Sequence, residues 1–322
     1  MIPQSLVPEG EMTMITVVGL TPSLDRTLRL ERLAVGGTNR PLRCDDAAGG
    51  KGLNVSLLLK ALGCAVHLIT PSFASGMEPV LKALEEADVP CSAIPVPGAL
   101  RVNMKLMDLS ASTVTEINMP SVLGSAAQAP QAFLDAIAAQ ARTSSWLVLT
   151  GSLPRDFPPD FYARAIAAAR AEAPACRILL DTEGEPLRLG LAGKPDMIKP
   201  NRHELELLCG HPLPTRADIA GEAIRLIRDG VGIVLVSMDV EGSLLASGNE
   251  LLCAEAVPVP VFTTVGAGDS LVAGFLSVLD AQPQALEAAL RMGVACATAH
   301  VAGCGAQTDV YLPRIRICSG LK

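Results

Sequence analysis

The segment "TTVGAGDSLVAGF", residues 263–275, sets Asp269 directly after two glycines, Gly266 and Gly268, where an apolar helix begins. Leu271, Val272, Phe275, Leu276 and Leu279 recur at the spacing of one buried helix face, so the helix starts near Asp269. The first N–H groups of a helix lack partners and carry the positive end of its dipole. Such a start suits phosphate oxygens, or charge that builds up in a transition state. Asp269 has two readings there. As a first-turn acid it contributes about 0.3–1 kcal/mol through the dipole. As a general base it removes a proton from a hydroxyl while the adjacent amides hold a phosphoryl group in transit.

Other segments offer matching chemistry. "AAGGKGLNVSLLLKALG", residues 47–63, repeats the theme of flexible glycines before a helix. Lys51 can meet a phosphate as a point charge, and Asn54 in the first turn can bind sugar hydroxyls or satisfy local backbone. In "TPSLDRT", Asp25 follows a strand and a proline turn, as an exposed turn residue or as a ligand for substrate. "RVNMK" projects Arg101, Asn103 and Lys105 from one face of a strand. That face is either solvated or closes over a substrate, in which case Arg101 offers a bidentate phosphate contact.

"TGSLP", residues 150–154, ends an apolar strand with a small hydroxyl residue, Ser152. In "KPNRHELELL", Asn201 and Glu204 stand three apart at a helix start, as a cap with its reciprocal acid or as a pair that orients hydrated Mg²⁺ beside nucleotide phosphates. His67, His203, His211 and His300 show no metal-ligand spacing and carry no assigned role. The chain has no G-x-x-x-x-G-K-[ST], no H-R-D and no D-F-G, which excludes the P-loop and protein-kinase arrangements. "GGKGLN" lacks the third glycine of a dinucleotide fingerprint, and no well-placed acid follows the next strand, so a dehydrogenase is a distant third reading.

The elements that must position these residues alternate. "MITVVGL", "HLIT", "WLVLTG", "RILLDT", "MIKPN" and "GIVLVSM" read as buried strands, and "NVSLLLKALG" reads as a helix with Val55, Leu58, Leu59 and Leu62 on its inner face. Parallel strands need crossover connections, so the alternation predicts an α/β fold with a mainly parallel sheet between helices. Residues 26–47 and 99–119 break the rhythm with polar/apolar alternation and predict a small one-sided antiparallel β-lid. The 322 residues are 49% hydrophobic and only 3% aromatic, so the core is aliphatic. A net charge of −7 with no basic run excludes nucleic acid, and no apolar stretch is long enough to span a bilayer. Nine scattered cysteines without a C-x-x-C pair argue against disulfides and zinc and for a cytoplasmic location. The opening "MIPQSLVPEGEMTM" is no signal peptide, and residues 1–13 are expected to form a disordered extension.

Taken in order, Asp25, "GGKGLN", "RVNMK", "TGSLP", "KPNRHELE", "VSMDVEGS" and "TVGAGDS" resemble the ribokinase-like, or PfkB, family of sugar kinases from about residue 14 onward. The resemblance implies one ribokinase-like domain over residues 14–322, a three-layer α/β/α core with the β-lid inserted, and a homodimer built through that lid. It also implies ATP-dependent phosphorylation of a sugar hydroxyl. Asp269 would be the base and Gly266, Ala267 and Gly268 the anion hole. Asp25, Gly50 and Asn54 would hold sugar hydroxyls, with Lys51, Arg101, Asn103 and Ser152 around a phosphate already on the sugar. Asn201 and Glu204 would order Mg²⁺, indirectly through water, and the nucleotide phosphates; Ser237 and Gly242 would line the nucleotide site.

Within the family the motifs look most like the 1-phosphofructokinase and tagatose-6-phosphate kinase branch. Fructose 1-phosphate is then the expected substrate, with tagatose 6-phosphate, fructose 6-phosphate and other small alcohols as alternatives. A non-catalytic sugar-phosphate sensor on the same scaffold is the rival from another class. Three positions depart from the family pattern: Asp239 where many members have glycine, Thr263 where ribokinase has an aspartate linked to a monovalent cation, and "TPSLD" in place of "NPALD".

Overall fold

Runs such as "ITVV", "WLVL" and "RILL" carry no charged side chain in their interior and are almost wholly apolar, so they are stable only with both faces covered. In the computed structural model, which describes residues 14–124 and 128–320, they form the middle of a ten-stranded sheet. The extension expected over residues 1–13 lies outside the described residues. From one edge to the other the strands are Ile317–Ser319, Glu250–Ala254, Ser243–Ser247, Ile233–Ser237, Met197–Ile198, Arg177–Asp181, Ser144–Thr150, Met14–Gly19, Ala65–Ser75 and Cys91–Ala99. Pairing is parallel from Ile233–Ser237 to Cys91–Ala99 and antiparallel across the first four.

Chain order locates the crevice. After Met14–Gly19 the chain adds Ala65–Ser75 and Cys91–Ala99 on one side, then returns to add Ser144–Thr150 and its successors on the other. Right-handed crossovers in opposite directions place their helices on opposite faces, which yields the α/β/α layers. Where the order reverses, between Met14–Gly19 and Ser144–Thr150, a crevice opens at the carboxyl ends of the strands. The segments carrying Asp25 and Ser152 follow these two strands directly.

A separate four-stranded sheet runs Arg43–Gly49, Ser23–Leu30, Arg101–Asp108, Thr113–Ile117. The alternation over 26–47 and 99–119 predicts antiparallel pairing throughout, but the central pair, Ser23–Leu30 with Arg101–Asp108, is parallel. Main-sheet elements separate those two strands in the chain, so the long connection that a parallel pair needs is present. The flanking pairs are antiparallel, as expected.

The helix Lys51–Ala61 buries Leu53, Val55 and Leu59, and its start lies directly on the first strand: a Cβ on Gly52 would come 2.5 Å from Gly19 Cα. Two glycines facing each other bring Lys51 and Asn54 to the mouth of the crevice. Helix Ala267–Leu279 buries Leu271, Val272, Phe275, Leu276 and Leu279 as the sequence predicts. All nine cysteines are free thiols, and among the described residues no helix is long and apolar enough to cross a membrane. Gly52→Ala is expected to destabilise the fold by about 1–3 kcal/mol through overpacking, read as a lower urea midpoint with an unchanged slope.

Candidate active site

Four carboxylates, Asp25, Asp181, Glu204 and Asp269, and four cations, Lys51, Arg101, Lys105 and Lys199, are carried by the segments around the carboxyl ends of the central strands. Helix Ala267–Leu279 begins after Gly266, whose φ of 92° and ψ of −3° are left-handed values that favour glycine. Asp269 makes no capping hydrogen bond to its own helix; it is 6% exposed, and its Oδ2 accepts from Asn54 Nδ2 at 2.8 Å. As a first-turn acid it therefore acts on the helix through the dipole and not through a capping bond. Burial, then the negative charge of Asp181, raise Asp269 above the ordinary carboxylate range, against the Asn54 hydrogen bond and the charges of Lys51 and Lys199.

Beside it, no backbone carbonyl among the described residues accepts the N–H of Gly266 or Gly268. Ala267 differs: its N–H turns back to Thr264 O at 3.2 Å, because the turn into the helix closes there. Of the three residues expected to form the anion hole, Gly266 and Gly268 have no backbone acceptor for their N–H groups and Ala267 has one. A carboxylate of raised proton affinity next to two free N–H groups can take a proton from a hydroxyl while negative charge is held nearby.

The floor of the site is a pair that sequence reasoning left unassigned. Asp181, at the end of strand Arg177–Asp181, is 1% exposed, and its Oδ1 lies 3.3 Å from Lys199 Nζ and 3.4 Å from Lys51 Nζ. Thr150 Oγ1 donates to Oδ2 at 2.9 Å. Burial alone would raise this carboxyl; the charges of Lys199 and Lys51, with the Thr150 hydroxyl, outweigh it and hold Asp181 below its ordinary range. In return Asp181 raises Lys51 above the usual lysine range, against burial. Lys199 keeps 4% of its side chain exposed and Lys51 36%, so Lys51 faces the crevice while Lys199 is enclosed. The signal for both missed residues was present: a charged side chain at the carboxyl end of a buried strand, in "RILLD" and "MIK".

The small sheet brings a third group. Strand register sets Asp25 opposite Asn103, and Asp25 Oδ1 accepts from Asn103 Nδ2 at 2.9 Å and from Ser23 Oγ at 2.8 Å. Lys105 Nζ stands 3.5 Å from Oδ2. The "RVNMK" face thus points at a carboxylate. Arg101 uses two of its five donors on Thr21 O and Met119 O, at 2.9 and 3.0 Å, while its buried Nε has no partner. Thr21 Oγ1 lies 3.5 Å from Ser152 Oγ, so the "TPSLD" and "TGSLP" turns meet as the sequence reading requires.

Gly50 is the N-cap of helix Lys51–Ala61, with φ 110°. Asn201 and Glu204 form a complete capping box, each accepting from the other's backbone N–H at 2.8 and 2.9 Å, and Glu204 is 7% exposed. Ser237 bridges to Asn201. Gly242 has a packing reason to be glycine, since a Cβ there would come 2.0 Å from Ala254 O. Asp239 takes φ 49°, so the position does impose the left-handed conformation that glycine favours, and an exposed aspartate tolerates it. Among the described residues no group of three His, Cys, Asp or Glu could hold a metal ion.

A sequence profile of the pfkB family carbohydrate kinases matches residues 12–312. The chain is 36% identical over 284 residues to a 1-phosphofructokinase of Xanthomonas campestris pv. campestris, covering 86% of this chain and 88% of that one. Phosphofructokinase-2 from Escherichia coli in complex with fructose-6-phosphate superposes with a TM-score of 0.86 at 25% identity, over 94% of this chain and 99% of that one. The tetrameric inhibited form of the same enzyme gives 0.85 at 26% identity, over 94% and 100%.

Asp181→Asn removes the shared counter-ion of two lysines and is expected to cost about 3–5 kcal/mol at neutral pH, measured by chemical denaturation. Because the folded carboxyl titrates below its unfolded value, that contribution is present above about pH 4 and lost as pH falls through the lower folded value. The gap between wild type and variant should therefore close only in strong acid.

Proposed function

Because the chain belongs to the pfkB family of carbohydrate kinases, we propose that it phosphorylates fructose 1-phosphate with ATP, giving fructose 1,6-bisphosphate and ADP. The observation that carries the mechanism is Asp269, buried, raised in proton affinity and beside the free N–H groups of Gly266 and Gly268. Asp269 takes the proton of the sugar hydroxyl as that oxygen bonds to the γ-phosphorus and the bond to the ADP oxygen breaks. The two N–H groups hold charge on the migrating phosphoryl group. Asn54 orients Asp269, and Lys51, the more exposed lysine of the floor, meets the phosphates.

On the sugar side, Asp25 with Gly50 holds hydroxyls, Asn103 and Lys105 fix Asp25, and the remaining donors of Arg101 with Ser152 receive the phosphate already on the sugar. Ser237 and Gly242 line the nucleotide. The donor set fits hydrated Mg²⁺: it prefers one or two carboxylates, water and substrate phosphates to a cage of protein ligands, and Glu204 offers such a carboxylate beside Asn201. When bound, Mg²⁺ supplies neutralising charge to the nucleotide phosphates. A reducing compartment such as the cytoplasm suits nine free thiols.

Dimerisation through the small sheet is part of the same reading. Met104 and Ile117 are register partners on one face of the small sheet, 37% and 44% exposed. Met104→Asp with Ile117→Asp is expected to lower the mass in solution to that of a monomer, read by sedimentation velocity; an unchanged mass would place the interface elsewhere.

A panel of sugars and sugar phosphates with MgATP, followed by ADP release and NMR of the product, tests the substrate. Fructose 1-phosphate should lead and fructose 6-phosphate should trail; a preference for unphosphorylated alcohols would overturn the reading. Asp269→Asn should keep ligand binding and lose about 10²–10⁴-fold in turnover. It should also raise the thermal midpoint, since ionised Asp269 is unfavourable in its buried site. In the wild type the acid limb of kcat/KM should lie above the ordinary aspartate range.

A further inference from the structure

Resting on the kinase reading above, we propose that His300 is a positioning residue for phosphoryl transfer, setting the direction in which the Gly266 N–H points. His300 is half-buried in the last turn of helix Leu286–Val301, and its Nε2 lies 2.7 Å from Val265 O. A carbonyl only accepts, so Nε2 carries the hydrogen, as it does in the imidazolium and in one neutral tautomer.

The Val265–Gly266 peptide is planar and trans, with its C=O and N–H on opposite edges. Pinning the carbonyl to His300 turns the Gly266 N–H to the opposite side, where no backbone carbonyl among the described residues accepts it. Glycine needs such a constraint, because without a Cβ it permits a flip of the preceding peptide that most residues resist. The flip would replace a donor by a carbonyl oxygen at the anion site and reverse its electrostatics.

The surroundings of Gly266 support this role. A Cβ at that position would lie 3.0 Å from His300 Nε2 and 3.8 Å from Asn54 Nδ2. The residue that orients the anion donor and the residue that orients Asp269 thus both lie beside the same glycine. Val301 O ties down the start of the loop through the N–H groups of Phe262 and Thr263, at 2.8 and 3.4 Å. These bonds leave the orientation of the later Val265–Gly266 peptide to His300. No local pattern signals this pairing, since 35 residues separate the two partners.

His300→Leu removes the donor and His300→Gln returns an N–H at similar reach. Steady-state kinetics are taken with MgATP and the sugar phosphate the wild type turns over fastest. The Leu variant should lose about 10- to 100-fold in kcat with both KM values within about threefold, and the Gln variant should stay within about threefold of wild type. Thermal midpoints should match. Affinity for MgADP with aluminium fluoride and the sugar phosphate, a mimic of the migrating group, should fall in the Leu variant while affinity for MgADP alone holds. His300→Ala gives the same donor loss without bulk, should leucine crowd the loop. Wild-type kcat in the Leu and Ala variants, equal losses in Leu and Gln, or parallel weakening of MgADP and the mimic would overturn the inference and leave the kinase reading intact. A wild type that turns over no sugar phosphate overturns both.

Discussion

The site depends on a balance of buried charge. Asp181 and Asp269 lie close enough that each disfavours the ionised form of the other, and both are almost fully enclosed. Left alone, such carboxylates would take up protons. Lys199 and Lys51 prevent this by sharing one oxygen of Asp181, which therefore stays ionised and fixes both ammonium groups. Asp269 receives only what is left of that positive field. One carboxylate is pushed down and its neighbour up, a separation that suits the second to the proton transfer proposed for it.

The architecture explains why these groups meet. Reversal of strand order beside Met14–Gly19 opens the crevice, and each contributing segment reaches it from the end of a strand or the start of a helix. Close approach is what glycine supplies: Gly52 against Gly19 seats the helix that carries Lys51 and Asn54. The small sheet then adds a carboxylate, Asp25, whose hydrogen bonds come wholly from its own and a neighbouring strand.

Much of this was legible in the sequence, for identifiable reasons. Helical spacing after Asp269 fixed both the start and the buried face of its helix, because periodicity reports burial directly. The pairing of Asn201 with Glu204 as a cap was also readable, being local. The parallel centre of the small sheet was not, since alternation reports which face is wet and is silent on strand direction. Asp181 and Lys199 were marked only as charged ends of buried strands, and their pairing with each other, like that of His300 with Val265, lies in partners distant in the chain. Ala267 entered the expected anion hole through the family resemblance, and a motif match does not show that its N–H already has Thr264 O as acceptor. Asp239 shows the reverse: the sequence marked the position as unusual, and the backbone supplies the reason.

Enclosing a charged base is unfavourable for folding and useful for reaction, and here the Asn54 hydrogen bond and the charges of Lys51 and Lys199 offset part of the cost. The most direct test is a carbon-13 NMR titration of the Asp269 carboxyl in the wild type and in Lys199→Met, with Asp269→Asn identifying the resonance. The charge-balance account expects a midpoint above the ordinary aspartate range of about 4 in the wild type and a further upward move without Lys199. A midpoint at or below that range, or one indifferent to the loss of Lys199, would contradict it.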